Sequence, residues 1–281
     1  MNARTVAASA PVPGTVPRAP LTRLVRIELL KLTSTRLPWG LLATSAGLTA
    51  LFTVIEAVRA GTSGGPAPLS GYAGQAAVTA GGVWSLILAA VLGATISSGE
   101  FRHHTATLTY LATPGRGRVL AAKTAAGAIA AAVFGLVGYV ITLGVTLGFV
   151  EAKGYHLAIG AGTLAGWGAG HLVGAALLGA IGVAAGSLVR SQLAAMIGIF
   201  AWMVIVESVL GGLFNAARPY LPYTAATALG GVPLGTSSFG PGRGAETVAA
   251  LPFAAATALL LAIAVAGSLI ASRTTVRRDI A

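Results

Sequence analysis

Two ionisable residues, His171 and Glu207, lie deep inside long apolar stretches of this 281-residue chain. A charge in hydrocarbon is costly, roughly 2.5–3.5 kcal/mol at the centre of an inserted helix, so such a group needs a partner, a wet cavity or a task. The two stretches follow one another through a very short turn at Arg190, which makes them antiparallel neighbours. At ~1.5 Å per helical residue, both side chains fall roughly 9–12 Å from the same boundary. The spacing predicts that His171 and Glu207 pair or face one wet vestibule. The arrangement has two uses: a structural pair, or a proton relay or substrate contact.

Other chemistry finds little support. There is no cysteine, hence no disulfide, no thiolate ligand and no thiol nucleophile. No GxSxG elbow and no HExxH zinc helix occurs. His103 and His104 are adjacent, so on a helix they point about 100° apart and share a metal poorly. Residues 117–124, GRVLAAKT, resemble a phosphate-binding loop, but Ala122 stands where the second glycine must be. The expectation is a chain that is not an enzyme and binds no metal, nucleotide or other cofactor itself.

The elements that position these residues are hydrophobic. The chain is 55% hydrophobic and 9% charged. Crossing a ~30 Å hydrocarbon core takes about 20 apolar residues. Six runs qualify: 38–58, 76–98, 124–149, 163–189, 192–213 and 248–271. The fold class is an all-α membrane protein with six transmembrane helices. Of the 18 Lys and Arg residues, all but Arg59, Lys153, Arg218 and Arg243 fall on alternate connections and the two termini. The positive-inside rule then places both termini in the cytoplasm. The net charge of +11 is thus a topology signal, with no nucleic-acid partner expected.

The expected organisation is a disordered tail over 1–20, an interfacial helix over 21–36, a six-span domain over 37–272 and a tail over 273–281. In 21–36, Leu21, Leu24, Val25, Leu29 and Leu32 share a face opposite Arg23, Arg26, Thr33 and Ser34. Such a helix lies in the headgroup layer or simply extends the first span. The 59–75 connection reads as a flexible loop, and 214–247 as a long one packed on the spans, with room for short re-entrant helices. Gly166, Gly170, Gly174, Gly182 and Gly186 form a ridge on the fourth span that lets another helix approach closely. That helix belongs to the same subunit or to a second one.

The 99–123 connection, GEFRHHTATLTYLATPGRGRVLAAK, is cytoplasmic by charge. It joins Glu100 and Arg102 to an apolar face at Leu108 and Leu111, then breaks at Pro114. It reads as a short amphipathic helix suited to a groove on a partner, or as an interfacial helix without one.

Here Glu100-Phe101-Arg102, Thr105, Leu111, Pro114, Arg116 and Ala122-Lys123 resemble the E-[YF]-R-x-G-T, L-x-x-P-x-R and A-K pattern of type-2 ABC transporter permeases, six-span subunits of bacterial exporters. His104 replaces the pattern's glycine. The opening stretch from Glu28 through Lys31 to Arg36 also resembles the family's segment before its first span.

The resemblance implies a permease in the bacterial plasma membrane, paired with a second permease of the same or a different kind. A separate ABC ATPase, carrying ATP and Mg, would drive it. Glu100, Phe101, Arg102, Thr105, Leu108, Leu111, Pro114 and Arg116 would be the coupling element. Glu28, Lys31 and Arg36 would sit on the connecting helix. The rivals are a proton-coupled secondary transporter using Glu207 and His171, and a non-transport membrane sensor. Substrate identity does not follow from the residues.

Overall fold

A computed structural model describes residues 20–102, 116–189, 191–232 and 249–274, without the side chains of 100–102 and 116. Among the described residues all regular structure is helical. The elements are α1 (Leu21–Thr33), α2 (Arg36–Arg59), α3 (Tyr72–Thr79), α4 (Val83–Arg102) and α5 (Arg116–Ala152). They continue with α6 (Ala161–Leu188), α7 (Gln192–Ala201), α8 (Glu207–Leu213), α9 (Pro222–Leu229) and α10 (Phe253–Arg273).

Six crossings are long and apolar enough to span a membrane: α2, α3 with α4, α5, α6, α7 with α8, and α10. The chain is a multi-pass helical membrane protein. Leu86, Ile87 and Leu92 of α4, Leu178 of α6, Leu229 of α9 and Leu260 of α10 meet in its main core. The second crossing is enclosed on almost all sides, whereas α7, α8 and α10 present most of their surface outward. That outward surface is apolar, including Leu193, Ile197, Ile205, Leu213 and Val265, as lipid tails require.

Several boundaries differ from the sequence expectation. The 21–36 helix stops at Thr33, and Arg36 opens α2 instead. The second crossing is not one rod: it turns at Ala80–Gly82 between α3 and α4. The fifth carries a π-helical turn, Trp202–Val206, between α7 and α8. The third starts at Arg116 rather than 124, so Arg116 to Lys123 belong to α5 and not to the connection. At 37 residues α5 is about 55 Å long, well beyond the hydrocarbon thickness, so it projects from the membrane. The last crossing begins at Phe253, after residues 249–252, which have no regular structure. The 59–75 loop is shorter than expected and braced, with Arg59 Nη2 donating to Gly64 O.

The helix α6 packs against α4, α5, α9 and α10. Its glycines make this possible. A Cβ on Gly182 or Gly186 would strike the Ala90 or Ala94 carbonyl of α4, and one on Gly170 the Leu229 carbonyl of α9. Gly174 lies against Ala226 of α9, and Gly179 against Ala131 and Gly127 of α5. Gly166 has open space beside it and takes no part in the ridge.

Candidate functional site

The α1 helix is held against the start of α5 by a buried ion pair. Lys123 Nζ donates to Glu28 Oε2 at 3.0 Å, and Lys31 Nζ to Glu28 Oε1 at 2.7 Å. Glu28 and Lys123 are both buried. Burial alone would raise the Glu28 carboxyl, but Lys123 and Lys31 outweigh it and hold it below the usual carboxylate range. The α1 face turned inward carries Leu24, Val25, Leu29 and Leu32, as the periodicity predicts, with Glu28 at its centre. Leu21, at the helix start, is exposed. The partly buried Leu32 also joins a small cluster with Ile96, Leu120, Val183 and Ala271.

Glu207 and His171 do not pair. Glu207 follows the π-helical turn, and that turn brings Trp202 Nε1 to Glu207 Oε1 at 3.1 Å, five residues apart. The carboxylate then accepts from Tyr223 N at 2.9 Å and Thr224 N at 3.1 Å, with Thr224 Oγ1 at 3.3 Å. These are the first-turn amides of α9, whose own preceding residue, Leu221, supplies no side-chain cap. Glu207 is therefore a remote N-cap, its oxygens accepting at the positive end of a helix dipole.

His171 lies at the other end of α9, about 12 Å away along that eight-residue helix. Its ring is fully buried between two glycines. A Cβ on Gly82, in the α3–α4 turn, would come within 2.6 Å of Nε2. A Cβ on Gly230, just past α9, would strike Nδ1 and Cε1. Tyr139 of α5 packs beside the ring, with centroids 5.5 Å apart. Nδ1 lies 3.2 Å from Trp167 O, while Nε2 has no hydrogen-bond partner.

A seam of hydroxyls, not anticipated from the sequence, runs nearby. Thr53 Oγ1 donates to Thr49 O, and Thr79 Oγ1 meets Thr146 Oγ1 at 3.1 Å, joining α3 to α5. Thr49, Thr53, Thr79, Thr142 and Thr146 are all fully buried. Gln75 clamps the chain after α5, donating to His156 O and accepting from Ala158 N. Most of these threonines bond carbonyls three or four residues back in their own helices, which satisfies a hydroxyl in an apolar setting.

The chain matches no protein family and no curated protein.

Among the described residues no cluster of His, Asp and Glu could hold a metal ion. Of the expected coupling residues, Thr105, Leu108, Leu111 and Pro114 lie outside the described residues. Glu100, Phe101 and Arg102 end α4 and Arg116 opens α5, so the helices fix where that connection leaves and returns. The partners of Glu28 and Glu207 escaped the sequence reading. A signal for the first was present: Glu28 is an acid set in the apolar face of an amphipathic helix.

Proposed function

We propose that the chain is the membrane permease subunit of an ATP-driven exporter, working with a second permease and a separate ATPase. The observation that carries the reading is the Glu28–Lys123 pair. It fastens α1, the expected connecting helix, to the α5 turns that directly follow the 103–115 connection. A push on that connection by a partner would thus reach α1 and the third crossing as one unit. The sequence pattern from Glu100 to Lys123 supplies the family likeness, and the six crossings agree with it.

In this reading Arg36 of α2, Arg116 of α5 and Arg273 of α10 face the cytoplasm, as does the connection that docks on the ATPase. ATP and Mg sit on the partner. Glu207 caps α9 and lies apart from His171, which counts against a direct proton relay between the two.

The test is co-purification with a candidate ABC ATPase subunit co-expressed with the chain. The Glu100→Lys variant should insert normally and lose the ATPase from the complex. Retention of the ATPase by this variant and by a chain with 101–112 scrambled would sink the coupling assignment.

A further inference from the structure

One buried group, the His171 ring, has no part in the export mechanism proposed above. Trp167 O can only accept, so His171 Nδ1 carries a proton and donates it there. Nε2 then faces Gly82 with neither a donor nor an acceptor in range. A second proton on this ring would leave an N–H unpaired and a charge uncompensated at a fully buried position. The ring as packed is the neutral one.

The surroundings make this matter. The two glycines against the ring come from the two irregular turns on this side of α6, Ala80–Gly82 and Gly230–Gly231. Gly231 has a φ of +88° and packs on Trp167, one turn before His171. Trp167 and His171 thus form a wedge of α6 that both turns close upon.

We propose that His171 is a proton-binding site whose occupancy decides whether the α3–α4 turn and the turn after α9 stay clasped on α6. A proton from solvent adds to the bare Nε2 lone pair and makes an imidazolium, with Nδ1–H still on Trp167 O. The new N–H finds an acceptor only if α4 or α9 draws back and admits water. The groups facing the ring are Gly82 from the α3–α4 turn, Tyr139 from α5, Gly230 after α9 and Trp167 from α6 itself. Of these Tyr139 alone titrates, and its hydroxyl donates to Leu164 O. Glu207 is at the far end of α9 and engaged there. The proposal is independent of the exporter reading.

The test uses the whole chain in lipid nanodiscs, with His103, His104 and His156 replaced by Gln so that His171 is the remaining imidazole. Imidazole ¹⁵N NMR at mildly alkaline pH should show Nδ1 protonated and Nε2 bare. On acidification by about three pH units, amide exchange at Gly81, Ser85 and Gly230–Val232, corrected for its chemical rate, should rise about tenfold. In His171→Asn, whose amide keeps a donor toward Trp167 O but takes up no proton, the same amides should not respond. An Nε2–H tautomer, a flat response with His171 intact, or an equal rise in the Asn variant would overturn the proposal. Should the Asn variant fail to insert, His171→Gln gives the same comparison.

Discussion

Among single side chains, Glu28 and its two lysines are the most sensitive to substitution. Removing one member of a buried ion pair costs up to about 3–5 kcal/mol, and less at Lys123 because Glu28 keeps Lys31. Lys123→Ala should lower the unfolding temperature clearly, while the matched apolar pair Glu28→Leu with Lys123→Met should recover much of the loss. Thermal unfolding in detergent reads both. The pH dependence has a definite sign. Because the folded state holds the Glu28 carboxyl below its ordinary 4.5, its stabilisation is complete above 4.5. It is lost as the pH falls through the depressed value, so α1 should loosen from α5 only in acid below 4.5. Loosening already at neutral pH would contradict the ion-pair account. Glu207→Gln should cost about 1–3 kcal/mol, since one buried acceptor toward the α9 amides becomes a donor. Amide exchange at Tyr223 and Thr224 should quicken, and transport per folded molecule should change less than stability.

At the element scale, α6 depends on the absence of side chains. Gly182→Ala places a methyl against the Ala90 carbonyl, a backbone atom that gives little, so it should destabilise. Gly166→Ala meets nothing and should be neutral or gain up to about 1 kcal/mol from helix propensity. Comparable losses at both positions, seen in the same unfolding assay, would refute the packing role of Gly182.

Six crossings were legible because hydrocarbon thickness demands long apolar runs, whatever the tertiary fold. The breaks were not. Apolar composition continues through Trp202–Val206, and only the Gly81-Gly82 doublet marks the second crossing's turn. Depth counting put His171 and Glu207 at one level, but it carries no rotation. The helix α9 sits between their faces, and each residue serves one end of it. The amphipathic pattern of 21–36 gave the packed face apart from Leu21, which is exposed, while the partner of Glu28, 95 residues away, left no trace in local periodicity.

At the scale of the whole molecule, six crossings return the chain to the side where it began. The charge bias proposes that this side is the cytoplasm. The chain has no cysteine, so single cysteines near positions 10, 66, 156 and 278 report unambiguously. Those near 66 and 156 should react with an impermeant thiol reagent in intact cells, and those near 10 and 278 should not. Labelling of the termini from outside would invert the topology and remove the cytoplasmic placement of the 103–115 connection.

In the proposed exporter, ATP hydrolysis on a partner drives movement through this subunit. The direct measurement is transport into inside-out vesicles carrying the chain with its ATPase. Accumulation should follow ATP hydrolysis and vanish when 101–112 is scrambled, with the six crossings still inserted. Movement driven by a proton gradient in vesicles that hold this chain without any ATPase would contradict it.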